Sequence, residues 1–208
     1  MILKNTCDYS QPDFYHFSED SLLLALKALG LWKKMTLPAN IHVLDLCAGC
    51  GIVGMEFLRQ SRADLALDFV EIQKEFVAHL KQNAKAFLTR RQQKQIAFLL
   101  SSYSLLKKSA FTKKYHLILC NPPYFCRGRG RPSPSMEKQT CRTWVKGDLA
   151  GLLKSVSNAL HPDGRALLLQ RHPFSMPEEL HSSLQIEEIE KKGSVCLILL
   201  SGLHKNGG

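Results

Sequence analysis

Ile41-His42-Val43-Leu44-Asp45-Leu46-Cys47-Ala48-Gly49-Cys50-Gly51-Ile52-Val53-Gly54 decides how this chain folds. An apolar run carrying one acid passes into a loop of small residues, then into a helical pattern from Ile52 to about Arg59. Strand, glycine loop and helix in that order open an α/β sheet. Gly49 and Gly51 permit a tight turn and a close approach of backbone to ligand, and the helix behind them offers free N–H groups. Leu65-Ala66-Leu67-Asp68-Phe69-Val70-Glu71 reads as the second strand, ending in an acid.

The string Gly49-x-Gly51-x-x-Gly54 also fits a dinucleotide fingerprint. Asp45, just ahead of the loop, argues against it: a carboxylate there repels a pyrophosphate and suits a cationic, amino-acid-bearing cofactor. Glu71 stands about twenty residues beyond the loop, where an acid takes ribose hydroxyls. The plain alternative for both acids is solvation of strand ends.

Downstream, Tyr115-His116-Leu117-Ile118-Leu119 reads as a buried strand running into Cys120-Asn121-Pro122-Pro123-Tyr124-Phe125. Two prolines stop the ladder and stiffen the turn. An NH2 group on a base or carboxamide is a poor nucleophile because its lone pair is delocalised. Two acceptors, the Asn121 side-chain oxygen and the Pro122 carbonyl, would hold that group and aim its lone pair at an electrophile. Pro123 keeps the turn rigid, and Tyr124 offers a face for stacking. A surface turn is the competing reading of Asn-Pro-Pro.

Asp45-x-x-x-Gly49-x-Gly51, then Glu71, then Asn121-Pro122-Pro123-Tyr124 resembles the class I S-adenosylmethionine-dependent methyltransferases that act on amino groups. The opening Gln11-Pro12-Asp13-Phe14-Tyr15-His16-Phe17-Ser18-Glu19-Asp20 is similar to one subgroup, the adenine-N6 methyltransferases of a valine tRNA. The resemblance implies a Rossmann-like seven-stranded sheet, mostly parallel with a C-terminal antiparallel hairpin. It implies S-adenosylmethionine held by Asp45, Ala48, Gly49, Gly51, Glu71 and Asn121, with Asp20 in a lid near its methionine end. Many members place an acid after the third strand to bind the cofactor's adenine; here Ser102 aligns best with it. The segment after the Arg-rich loop also departs from the subgroup, which carries an Ala-Arg-His-Glu-like string where this chain has Cys141-Arg142-Thr143-Trp144.

Composition agrees with an RNA substrate. Net charge is +10 with pI ≈ 9.3, favouring an anionic partner. Phe125, Arg127, Arg129, Arg131 and Arg142 beside the proposed reaction centre are candidates to contact the target nucleotide and its phosphates. With 208 residues and 45% hydrophobic content, one methyltransferase domain over 1–208 is expected, its first 34 residues an N-terminal segment and lid helix. No long apolar run suggests a membrane span, and seven cysteines read as free thiols of a cytoplasmic protein. Cys47-x-x-Cys50 lacks a second ligand pair, so no metal is expected. Oligomeric state is not legible.

Along the rest of the chain, residues Met1 to Pro12 read as loosely packed. A helix is expected from Phe17 to Lys34, capped by Ser18, and another from Gln73 to Leu88 running on into a basic corner, Arg90-Arg91-Gln92-Gln93-Lys94. The third strand is placed at Gln95 to Ser101 and a polar connector at Ser104 to Lys114. A helix follows from Gly147 to about Leu160, a turn at Pro162-Asp163-Gly164 and a fifth strand from Arg165 to Gln170. A helix from Met176 to Ser183, capped by Ser175, precedes the terminal hairpin of Gln185–Glu190 and Val195–Leu200. The competing functions are methylation of a guanine of ribosomal RNA or a release-factor glutamine, a nicotinamide-dependent oxidoreductase, and a non-catalytic RNA-binding module.

Overall fold

The computed structural model describes residues 8–36, 38–123, 148–171 and 173–203. Its strands are β1 (Ile41–Leu46), β2 (Leu65–Glu71), β3 (Ile96–Leu100), β4 (Tyr115–Cys120), β5 (Leu160–Arg171), β6 (Leu184–Lys192) and β7 (Val195–Gly202). Its helices are α1 (Glu19–Trp32), α2 (Ile52–Ser61), α3 (Glu75–Phe87), a single turn α4 (Arg90–Gln93) and α5 (Leu149–Ala159). The strands form one sheet in the order β3-β2-β1-β4-β5-β7-β6, parallel except for β7, which runs antiparallel to both neighbours. The class I methyltransferase fold follows as expected.

The sheet is apolar on both faces because helices cover both. Val43, Leu67, Leu117 and Leu167 point to α1, α2 and α3; Leu44, Ile118, Leu168 and Ile198 point to α5 and to the 3-10 turn Tyr103–Lys107. Every residue of β4 is buried, as its unbroken apolar run requires. The chain builds β1, β2 and β3 outward in one direction, then crosses to place β4 on the other side of β1. The sheet's topological switch point therefore lies between β1 and β4, at whose carboxyl ends open sheets bind ligands.

Several local expectations are corrected. Residues Tyr9 to Pro12 are anchored rather than loose: the Tyr9 ring stacks on Phe87 at 4.2 Å and its hydroxyl donates to the buried Glu56 at 2.9 Å. Ser18 holds the extended cap position of α1, but its hydroxyl goes to Asp20 (3.3 Å) and not to a backbone N–H. The basic corner is separated from α3 and forms α4, started by a capping box between Thr89 and Gln92. The polar connector contains two 3-10 turns, Tyr103–Lys107 and Ser109–Phe111.

No free turn precedes the fifth strand. β5 begins at Leu160, straight from α5, and Pro162-Asp163-Gly164 is absorbed as an irregularity between the Tyr115–Leu160 and Leu117–Arg165 pairs. The helix expected over Met176–Ser183 shrinks to the 3-10 turn Glu178–Leu180, with Pro177 rather than Ser175 before it and no side-chain cap. Without that cap, and with Leu180 as its one buried residue, the segment lacks what would propagate a longer helix.

Candidate active site

The last pair of the β1–β4 ladder is Leu46 with Cys120. The glycine loop and Asn121 therefore leave adjacent strands side by side, at one edge of the sheet. On the other side of β1, Leu46 pairs with Val70, so Glu71 joins the same edge. Three stretches separated in sequence converge here because the sheet order puts their strands together.

The loop itself is tightly determined. Cys47, Gly49 and Gly51 all have positive φ, at 61°, 54° and 83°. Ala48 donates to the Val70 carbonyl (3.1 Å) and accepts from the Gly51 N–H (2.8 Å). A Cβ on Gly51 would lie 2.5 Å from Leu80 Cδ2 and 2.8 Å from Met55 Cε, so both space and backbone demand glycine. A Cβ on Gly49 would meet only the Phe76 ring, at 3.7 Å, among the described residues. Gly49 is thus constrained by its φ, with room beside it.

Glu71 is buried and accepts three backbone N–H groups: Gly49 on Oε2 (2.8 Å), Ile72 and Gln73 on Oε1 (2.9 Å each). Burial raises its carboxyl above the usual range, against the lowering effect of those N–H groups. A carboxylate offers about four acceptor positions, so one remains on the oxygen that faces Gly49.

Asp45 lies beneath the loop, 1% exposed, with Oδ2 accepting the Gly54 N–H at 2.8 Å. Burial pushes its carboxyl up to about 8, although the Gly54 bond favours the ionised form and Glu71 disfavours it. A Cβ on Gly54 would sit 2.7 Å from the Phe69 ring and 2.9 Å from that carboxyl. Through this bond the acid braces loop to helix. It also occupies a first-turn N–H of α2 that an anion would otherwise use, which makes this a poor pyrophosphate site.

Asn121 donates from Nδ2 to Ser21 Oγ at 3.1 Å. Ser21 is buried in the first turn of α1, one residue after Asp20, so α1 is laid against the Asn121 turn. Pro122 is buried and Pro123 half-buried. Tyr124, Phe125, Arg127, Arg129, Arg131 and Arg142 lie outside the described residues.

Ser102 reaches the edge next to Glu71, whose carbonyl accepts the Ser101 N–H at 2.9 Å. Its hydroxyl already accepts the Ser104 N–H (3.3 Å) and contacts Ser104 Oγ (2.5 Å). The expected adenine contact therefore competes with a local cap. Cys47 and Cys50 do not form a pair: Cys50 joins the apolar cluster beneath α2 and α3, while Cys47 packs with Cys120 on the opposite face, thiol to thiol.

Asn83 is a site residue that the helical pattern of α3 concealed. Buried at 1% exposure, it donates to the Cys50 carbonyl and the Ser10 carbonyl (2.9 Å each) and accepts the Ser10 N–H (2.8 Å). It ties the glycine loop to the N-terminal segment. The sequence signal was an amide on the apolar face of a helix, between Leu80 and Ala84. Ser21, on the leucine-rich face of α1, carried the same kind of signal.

The profile of the family described as conserved hypothetical protein 95 matches residues 30–136, just over half of the 208-residue chain. The chain belongs to this family. The match takes in β1 through β4, and so the glycine loop, Glu71 and Asn121. The chain is also similar to the tRNA1(Val) (adenine(37)-N6)-methyltransferase of Tolumonas auensis, at 25% identity over 159 residues, covering 74% of this chain and 62% of the relative. For the enzyme of the same name from Aeromonas hydrophila, identity is 27% over 152 residues, with 73% and 59% covered. The chain thus spans about three fifths of the length of these curated relatives. Among solved structures, the ribosomal protein L11 methylase of Lactobacillus delbrueckii shares the fold, with a TM-score of 0.60, 18% identity, and 91% and 81% of the two chains covered. No helix among the described residues is long and apolar enough to cross a membrane, and no group of three or more His, Cys, Asp or Glu could hold a metal ion there.

Proposed function

We propose that this chain is a cytoplasmic methyltransferase domain acting on the N6 amino group of an adenine in RNA, a tRNA by its likeness to the curated relatives. The observation that carries the reading is the placement of Asn121 directly across the switch point from the glycine loop, through the Leu46–Cys120 pair. The residues fit S-adenosylmethionine: there is room beside Gly49, and the spare acceptor position of Glu71 suits a ribose hydroxyl. When bound, that cofactor supplies an electrophilic methyl group on a sulfonium.

The chain's own residues do the rest by positioning. Ser21 Oγ accepts from the Asn121 amide and holds it beside the switch point, and the Asn121 side-chain oxygen is assigned one N–H of the target amino group. The Pro122 carbonyl is assigned the second N–H, Tyr124 the stacking face, and the arginines from 127 to 131 and at 142 the neighbouring phosphates. Two acceptors orient the nitrogen lone pair, and no strong base is required because the nitrogen becomes acidic once alkylated.

Incubating the full chain with labelled S-adenosylmethionine and unmodified bulk tRNA, then digesting to nucleosides, tests this. N6-methyladenosine is expected; labelled N2-methylguanosine or no labelled nucleoside would overturn it. A titration with S-adenosylhomocysteine against NAD tests the cofactor, with binding expected for the first alone.

A further inference from the structure

One flank of the sheet carries a dense row of exposed cations. From position 74 to 94 the sequence carries six Lys or Arg and one acid, Glu75. On α3, Lys74, Lys81 and Lys85 fall at i, i+7 and i+11, one face of a helix. All three are exposed, while Phe76, Leu80, Asn83 and Ala84 on the opposite face are buried. The line continues through exposed Arg90, Arg91 and Lys94 in and after α4, a turn held in place by the Thr89–Gln92 capping box. Among the described residues, the one ion pair on this flank is Arg91–Asp64 (3.2 Å), whose side chains are 76% and 77% exposed. Such a pair is weak and exchangeable for another anion.

The opposite edge is arranged differently. Glu178, Glu179, Glu187, Glu188 and Glu190 gather on β6 and the turn before it. Three cations there are partnered, Lys154 with Glu179 (3.4 Å), Arg165 with Glu187 (2.8 Å) and Lys27 with Glu190, while Lys191 and Lys192 close β6 as exposed cations. Among the described residues, the α3–α4 flank therefore presents a row of exposed cations with a single ion pair, where the β6 edge sets acids beside its cations.

We infer that the α3–α4 flank is a second RNA-contact surface, gripping backbone phosphates of the substrate at a distance from the reacting base. The inference rests on the proposed RNA substrate. α3 starts four residues after Glu71, so the row begins beside the cofactor site, and Lys74 to Lys85 extends it about 16 Å at the helical rise. Phe87, the aromatic residue at the end of α3, is turned inward against Tyr9. With lysines and arginines and no exposed ring, the surface is suited to phosphates rather than bases, and it contributes affinity without sequence selectivity.

The test uses the full chain, bulk tRNA and a salt series. K81Q/K85Q/R90Q is expected to weaken tRNA binding by roughly tenfold or more and to reduce the slope of log affinity against log salt by about 2 to 3. K154Q/K191Q/K192Q removes the same charge from the other edge and is expected to leave both near wild type. S-adenosylhomocysteine binding should be unchanged in both variants. Equal losses in the two triples, or none in the first, overturn the surface. A wild type that binds S-adenosylhomocysteine but no tRNA overturns the RNA reading itself.

Discussion

Asn121 and Ser21 share one hydrogen bond, and the proposed chemistry depends on how that amide is oriented. Ser21→Ala removes the acceptor without adding bulk. It is expected to lower kcat for methyl transfer by roughly ten- to a hundredfold, the scale of a small misplacement, while Tm and S-adenosylhomocysteine affinity hold. A kcat equal to wild type would show that Asn121 is held by other means. Asn121→Ala itself should cost about a hundredfold or more in kcat, as loss of a group that stabilises developing charge does. Asp45 makes a different prediction. Its carboxyl is pushed up to about 8 in the fold, so the folded state keeps a proton that the unfolded chain releases. The stability tied to that proton is full below about pH 4, the unfolded value, and is lost as pH rises towards the folded one. Urea midpoints of wild type and Asp45→Asn, compared from pH 4 to 9, should show wild type losing ground steadily up to about pH 8 and then levelling. A difference independent of pH would mean that Asp45 is ionised throughout.

Among elements, glycines in similar-looking company behave oppositely. Gly51, at the start of α2, combines a φ of 83° with a Cβ position 2.5 Å from Leu80. Gly51→Ala is expected to destabilise by about 2–4 kcal/mol, combining backbone strain with overpacking. Gly30 sits within α1 with nothing within 4 Å of its Cβ position. Gly30→Ala should stabilise by about 0.5–1 kcal/mol through reduced chain entropy. Chemical denaturation of the two variants measures both signs. The strand–loop–helix pattern made Gly49 and Gly51 recognisable in the sequence. That Gly54 is also needed came only from the packing of α2 on Phe69 and Asp45.

Across the whole molecule, the edge opposite the proposed site carries a histidine cluster. His116, at the start of β4, accepts the His42 N–H (3.2 Å) and stacks on His161 at 4.4 Å. Burial, then the other two histidines, hold His116 below its ordinary value; burial and Lys114 lower His42. Groups lowered in the fold contribute stability above the unfolded value of about 6.5 that is lost as pH falls through the folded one. Wild type should therefore lose stability relative to His116→Asn as pH falls from about 6.5, in urea titrations at fixed ionic strength. No change in the difference between pH 7 and 5 would exclude the cluster as a source of acid sensitivity.

Local composition was enough to specify the seven strands, the longer helices, the glycine loop, the acids Asp45 and Glu71 and the Asn-Pro-Pro stop after β4, because apolar period, glycine and proline act through the backbone near them; it did not specify the short 3-10 turns. It also determined the six-cation run along α3 and α4. Only the tertiary structure decided which groups meet. The crossover that sets β4 beside β1 brings Asn121 to the loop, and α1 packing brings Ser21 to Asn121. Burial, a property of the assembled layers, turned Asp45 inward to Gly54 and made Asn83 the tie between loop and N-terminal segment. Such contacts join positions as far apart as Ser21 and Asn121, and no local pattern encodes a partner at that separation.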